Sequence, residues 1–186
     1  KYMGTWGITE NSGATSQFRI DGVETGGGTI ADGDGTEAKP YNASQIIALN
    51  PTSTQEAVQS GVWVAGYIVG YMPSNPSTTL NNTVFGAPAD LATNIVLGPT
   101  ADCTDYTKCI SIQLPSGALR TALNLQNNPG NLGAKVALYG DVMKYCGGPG
   151  LKNTSKYEIN GSGSGGDTPN PPSGEGTIYE GLVSNS

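Results

Sequence analysis

Residues 108–152 read KCISIQLPSGALRTALNLQNNPGNLGAKVALYGDVMKYCGGPGLK, and this stretch decides the fold of the chain. Apolar residues alternate with polar ones from Ile110 to Leu114, which predicts a β-strand with the apolar side chains on its core face. Leu119 and Leu123 follow at helical spacing and predict a short helix with an inward apolar side. An Asn- and Gly-rich loop and a second alternating run complete the pattern of strand, helix, loop, strand and glycine turn.

Two details refine this central pattern. Ser116 stands just before the helix and is expected to cap it. In the second alternating run, Val136, Leu138 and Val142 share one parity and are expected to face the core. Residues 147–150, GGPG, predict a turn before a last strand over residues 154–159.

The chain before this stretch supplies two further strands. Residues 61–72, GVWVAGYIVGYM, are apolar at both parities, which predicts a strand covered on both faces. Gly66 and Gly70 within it permit a sharp bend. Residues 93–98, TNIVLG, predict the next strand.

Two helices are expected before these strands. Asn42 is expected to cap the first, NASQIIALN over residues 42–50. Residues 54–60, TQEAVQS, predict the second.

Composition shifts divide the chain into four parts. Residues 1–33 are expected to be an N-terminal extension or the end of a preceding domain, with two short strands. Residues 34–160 are the predicted domain, and residues 161–176 are a Gly/Ser/Pro linker. Residues 177–186 restart an apolar pattern as the beginning of a truncated segment. The chain therefore reads as a piece of a longer, processed protein.

The charge and the residues that are missing exclude several classes of site. The formal net charge is −6, and few cations are available to bind a phosphate backbone. No His is present, which excludes a Ser-His-Asp triad, a Cys-His dyad and an HExxH zinc site. The sequence predicts no metal site, no cofactor and no membrane-spanning segment.

The three cysteines leave the redox state open. Cys103 and Cys109 flank a short polar loop, and a bridge between them would stabilise the fold by about 2 kcal/mol in the chain-entropy model. The alternative is that these two and Cys146 are all free, small, half-buried residues.

The order strand, strand, strand, helix, strand, strand is that of the OB-fold, a five-stranded Greek-key barrel. The QLP-G-R-LNL-NP-LG-V-GD-KY-G-PGLK skeleton, within residues 34–160, resembles an uncharacterised OB-fold-like domain family of secreted or lipid-anchored surface proteins of Bacteroidota. The resemblance implies a mainly β, five-stranded barrel with one short helix between the third and fourth strands. It also implies an extracellular or cell-surface location, anchored at the outer membrane, beside other modules of the same polypeptide. It transfers no catalytic residue.

Ligand contacts are expected where OB-folds usually make them, on the second and third strands and in the loops after the first and fourth. These loops are residues 73–92 and 143–154. Lys144 and Tyr145 predict a small patch for a base or a sugar. The other candidates are Lys152, Tyr71 and Arg120. The structural alternatives are a Tyr145 that packs over the barrel end with a solvated Lys144, and an Arg120 that forms an ion pair with Asp105 or Asp141 or bonds to loop carbonyls.

These observations favour a chain that is not an enzyme. The leading interpretation is a non-catalytic binding or spacer module of a secreted or cell-surface multidomain bacterial protein. Single-stranded nucleic-acid binding and carbohydrate binding are the alternatives, and both rest on fold analogy.

Overall fold

Six strands and two short helices form the part of the chain that the computed structural model describes, residues 28–159 and 162–165. The strands are β1 (Gln59–Gly70), β2 (Asn94–Gly98), β3 (Ile110–Gln113), β4 (Lys135–Tyr145), β5 (Gly148–Ile159) and β6 (Ser162–Gly165). The helices are α1 (Ala43–Ala48) and α2 (Ala118–Leu123), and single 3₁₀ turns lie at Leu80–Asn82, Tyr106–Lys108 and Pro129–Asn131.

Five of the strands close into a barrel. Their order is β3-β2-β1-β4-β5, with antiparallel neighbours throughout. A parallel pairing of β3 with β5 closes the ring, with Ser111 opposite Gly150 and Ile112 opposite Leu151. α2 lies between β3 and β4 in the chain. The prediction of a mainly β, OB-fold-like barrel is therefore confirmed.

The barrel interior is filled by the side chains that the alternation in the sequence predicts to face the core. Ile110, Ile112 and Leu114 are fully buried, as are Leu138 and Val142 of β4. From α2, Leu123 is fully buried and Leu119 is 8% exposed, and both belong to the same apolar cluster as the strands. The short helix thus contributes directly to the core.

β1 is buried on both faces from Val62 to Gly70, as its sequence predicts. Its pairing with β2 shifts register between Ile68 and Gly70. A Cβ at Gly70 would lie 2.1 Å from the carbonyl oxygen of Val84, so no larger residue fits this close approach.

α1 begins with a reciprocal cap. The Asn42 side chain accepts a hydrogen bond from the Gln45 amide at 3.0 Å, and the Gln45 side chain accepts one from the Asn42 amide at 3.1 Å. The same side chains bind Ile30, Asp32 and Gly33 through further hydrogen bonds. The chain before α1 is thereby fastened to the barrel domain.

Two local predictions were wrong. Residues 54–60 form no helix, because β1 begins at Gln59 and the Val58 amide donates to the Val142 carbonyl. Ser116 does not cap α2, because Gly117 takes the N-cap position with a φ of +125°, where a side chain is strained.

β5 contains a bulge that divides it into two halves. Tyr139 pairs with Lys156, but Asp141 pairs with Lys152, so two extra residues are accommodated on β5. Asn153 adopts a φ of +53° there. The half before the bulge pairs with β3 and closes the barrel, whereas residues 156–159 pair with β6.

The ends of the chain are only partly described. The strands predicted in residues 1–23 lie outside the described residues, as do residues 177–186. Within the predicted linker, residues 162–165 form β6.

We predict that Leu123→Ala lowers the free energy of unfolding by about 2–5 kcal/mol, because it removes a fully buried side chain from the barrel core. The matched control is Leu132→Ala, since Leu132 is 41% exposed and its truncation should cost less than about 1 kcal/mol. Urea unfolding of both variants measures the difference. Equal effects would show that α2 does not contribute to the core as described.

Candidate nucleic-acid interface

The face of the barrel that OB-folds commonly use for ligands is covered here by the chain itself. The outward side chains of β1 to β3 pack with loop residues into a second apolar cluster, which we call the outer layer. Its buried members are Tyr67, Val69, Met72, Leu80, Val96 and Cys109, and Ile30, Phe85, Cys103, Tyr145 and Cys146 pack against them. Because these side chains cover the strands, the outer face of β2 and β3 is not open to a ligand in this conformation.

The β1–β2 loop, residues 71–93, is the main cover and is fastened at several points. The buried Asn94 side chain accepts from the Met72 amide at 2.7 Å and donates to its carbonyl at 3.1 Å. The Ser74 amide and hydroxyl both donate to the Asp90 carboxylate, at 2.9 and 2.6 Å. The Leu80 amide donates to the Cys146 carbonyl at 2.8 Å, which joins the loop to the β4–β5 turn.

The second predicted ligand loop is not a loop. β4 runs to Tyr145 and β5 begins at Gly148, so residues 143–154 are almost entirely strand. The turn is confined to Cys146 and Gly147, with φ values of +47° and +80°. A two-residue turn with positive φ at both residues matches the right-handed twist of the paired strands. The two strands can therefore stay paired up to the turn itself.

The three predicted contacts on this hairpin have mainly structural partners. Tyr145 is half-buried against the outer layer, and burial raises the pKa of its hydroxyl, with a smaller contribution from the neighbouring Cys146 side chain. The Lys152 ammonium donates to the Thr54 carbonyl at 2.7 Å. The Lys144 amide donates to the Ser53 carbonyl at 2.8 Å. Lys144 and Lys152 therefore lie together beside the loop that precedes β1.

Tyr71 and Arg120 are both half-buried, and both have structural partners. Tyr71 exchanges backbone hydrogen bonds with Val84 and packs against the barrel core. The Arg120 Nε donates to the Leu114 carbonyl at 2.7 Å. Arg120 thus bonds to a backbone carbonyl just after β3, which is one of its two structural alternatives, and it forms no ion pair with Asp105 or Asp141.

Among the described residues, an aromatic side chain and a lysine lie together on the outer face of β4 and β5. The rings of Trp63 and Tyr139 lie with their centroids 5.7 Å apart at 58°, and the Lys156 ammonium lies 5.2 Å from the Tyr139 centroid. We call Trp63, Tyr139 and Lys156 the aromatic row. Trp63 is buried, Tyr139 is half-buried and Lys156 is exposed, so the row opens towards solvent at its β5 end.

The aromatic row was missed in the sequence, although its signal was present. The alternation that directs Leu138 inward directs Tyr139 outward. Lys156 is brought opposite Tyr139 only by the β5 bulge, and the position of a bulge is not visible in a hydrophobic pattern.

Positive charge is concentrated in the second half of the barrel. Residues 110–159 carry five Lys or Arg side chains and two carboxylates, whereas residues 28–109 carry two Lys and seven carboxylates. Of the two carboxylates, Asp141 accepts hydrogen bonds from the Gly61 amide at 2.9 Å and the Asn153 side chain at 2.8 Å. Lys152 and Lys156 both project from the outer parity of β5, because their partners Asp141 and Tyr139 do so on β4.

Two further kinds of feature are absent from the part of the chain that the structure describes. No group of three or more His, Cys, Asp or Glu side chains there is placed to hold a metal ion. None of the described helices is long and apolar enough to cross a membrane.

Comparisons with known proteins identify the family of the domain. A family model described as a domain of unknown function (DUF6359) matches residues 45–160. The chain is also similar to endonuclease YhcR of Bacillus subtilis (strain 168), with 30% identity over 125 residues. That similarity covers 66% of this chain but only 9% of the relative's length. No solved structure matches.

The similarity to YhcR corrects one prediction. The sequence predicted that the chain is not an enzyme, and this is contradicted because two thirds of the chain resemble part of a protein named as an endonuclease. The missing His had excluded several catalytic arrangements, but it does not exclude the chemistry of a larger protein of which such a domain is a part.

The fastening of the β1–β2 loop should depend on pH. Hydrogen bonds from the Ser74 side chain and amide hold the pKa of the Asp90 carboxyl below its ordinary value of 3.8. A carboxyl with a lowered pKa stabilises the fold above its unfolded value, and this contribution is lost as the pH falls through the folded value. We therefore expect the NMR signal of the Ser74 amide to shift with pH at a midpoint below pH 3.8. In the Asp90→Asn variant this pH-dependent shift should be absent. A midpoint at or above the ordinary carboxyl pKa of 3.8 would contradict the hydrogen bonds between Ser74 and Asp90.

Proposed function

We propose that this chain, which belongs to the family described as a domain of unknown function (DUF6359), binds single-stranded nucleic acid on the outer face of β4 and β5. The observation that carries the proposal is the similarity of two thirds of the chain to a protein named as an endonuclease. An endonuclease acts on nucleic acid, and OB-fold barrels often bind oligonucleotides. In this proposal the domain holds nucleic acid for the larger protein.

The aromatic row offers the kind of contact that single strands use. Stacking of a base on an aromatic side chain contributes about 1–3 kcal/mol and tolerates any sequence. The exposed Lys156 ammonium now lies over the Tyr139 ring, and an exposed cation–π contact contributes only about 0.5–1 kcal/mol. A base can therefore displace the ammonium at a net gain, and the displaced Lys156 can bind an adjacent phosphate.

The charge distribution supports a weak, salt-sensitive interaction. The chain as a whole is acidic, but Lys152 and Lys156 lie on the same strand face as the half-buried Tyr139. Each phosphate neutralised on a single strand contributes about −0.7 to the slope of log affinity against log salt. Two such contacts predict a slope of about −1.4, far smaller than that of a strongly basic domain.

The location of the protein follows only from the family resemblance in the sequence. We propose an extracellular or cell-surface location, with the domain beside other modules of a bacterial protein. Fractionation of the cells that produce the full-length protein tests this part separately, and recovery in the cytoplasm would contradict it.

Binding is tested with a fluorescently labelled single-stranded oligonucleotide of mixed sequence, followed by polarisation at low salt. Tyr139→Leu should weaken binding at least about 5-fold, because the stacking surface is lost. Lys156→Ala should weaken binding and reduce the magnitude of the salt slope by about 0.7. Thermal unfolding of both variants checks that the barrel remains folded.

The matched control is Lys108→Ala. Lys108 is exposed like Lys156, but it lies 3.4 Å from Asp105 in the β2–β3 loop and away from the aromatic row. Its loss should leave the affinity unchanged. Absence of any polarisation change at low salt would refute the proposal. Binding to a glycan array that is abolished by Tyr139→Leu would instead assign the row to carbohydrate.

A further inference from the structure

Two cysteines in the loop between β2 and β3 lie close enough to react with each other. The Cys103 and Cys109 sulfur atoms are 3.7 Å apart, and both approach the Asp105 carbonyl oxygen, at 3.7 and 3.3 Å. Both are free thiols in this structure. A disulfide requires a separation of about 2.05 Å, so a movement of less than about 2 Å closes the bond.

The loop between them is held in a shape that keeps the thiols together. The Cys103 amide donates to the Thr100 carbonyl, and the Cys109 amide donates to the Tyr106 carbonyl. Between the cysteines, the Asp105 carboxylate accepts from the Thr107 amide at 3.0 Å and caps the turn at Tyr106–Lys108. Closure therefore starts from two thiols that the folded loop already holds in contact.

We propose that Cys103 and Cys109 are a redox-active pair that closes to an intramolecular disulfide when it meets a low-molecular-weight disulfide. This assigns a modification site to the β2–β3 loop, and it is independent of the function proposed above. It also connects the two states that the sequence leaves open for these cysteines, because the free pair converts to the bridged one.

The two sulfurs differ in access, and this sets the order of the steps. Cys109 is fully buried in the outer layer, and burial raises the pKa of its thiol, whereas Cys103 is partly exposed. The Cys103 thiolate attacks one sulfur of the small disulfide, which forms a mixed disulfide and releases one small thiolate. Cys109 then loses its proton and attacks the Cys103 sulfur, which releases the second small thiol. Two protein thiols are oxidised, and one small disulfide is reduced to two thiols.

The third cysteine has a different neighbour. Cys146 lies in the β4–β5 turn, where it packs against the outer layer together with Tyr145. No sulfur–sulfur contact of Cys146 is found among the described residues. The proposal therefore assigns it no part in the bridge.

Closure would fasten the loop to the outer layer. Cys109 is a buried member of that layer, and Cys103 packs against it from the loop. A covalent link between them removes conformations of the unfolded chain. For so short a closed loop, the expected rise in the melting temperature is on the order of 5 °C.

The test incubates the folded protein with oxidised glutathione and then counts thiols after unfolding. One reactive thiol is expected after oxidation and three after reduction. Trypsin cleaves after Lys108, which separates the two cysteines, so the digest should contain two peptides joined through Cys103 and Cys109. The melting temperature should rise by the amount given above.

Two cysteine variants show which thiols take part in the disulfide. Cys103→Ser should retain two thiols after oxidation and show no rise in the melting temperature, whereas Cys146→Ser should keep the full rise and leave no thiol. Three free thiols, a mixed disulfide that stays on Cys103, or a linked peptide that contains Cys146 would each overturn the proposal.

Discussion

The structure depends on β1 being buried on both of its faces. Its inward side chains, among them Val64 and Ile68, belong to the barrel core, and its outward side chains Tyr67 and Val69 belong to the outer layer. The same strand pairs with β2 on one edge and β4 on the other. Because one strand takes part in two apolar clusters and two strand pairings, it couples the barrel to the loops that cover it. Burying an apolar side chain contributes about 1.5–3 kcal/mol, so a strand with two buried faces contributes roughly twice as much per length as an ordinary surface strand.

This double burial explains why the outer face of β2 and β3 is covered. In a barrel whose β2–β3 face is open, ligands bind there, but here Met72, Leu80 and Phe85 occupy that ground. A second apolar layer covers this face, and its burial stabilises the Gly-rich domain. The outward face that remains is on β4 and β5, where Tyr139 and Lys156 meet.

Most of the fold was predictable from hydrophobic alternation, whereas the candidate site was not. Ile110, Ile112, Leu119 and Leu123 are buried as their spacing requires. The sequence could not show that Gly117 would replace Ser116 as the cap, because this depends on a positive φ. It could not place Lys156 opposite Tyr139, because the β5 bulge decides that pairing. The site residues Lys144, Tyr145 and Lys152 were chosen from a general map of OB-fold loops, and a two-residue turn leaves almost no loop at that place.

The bulge on β5 separates two segments of the strand that pair with different neighbours. The residues before it join β3, and those after it carry β6. The Asp141 carboxylate binds both the Gly61 amide and the Asn153 side chain at this point, which holds the corner in shape from two neighbouring strands. The pairs that close the ring, at Gly150 and Leu151, therefore do not involve the residues that pair with β6. The far end of β5 is therefore a position at which additional chain can follow the barrel without contacting the strand pair that closes it.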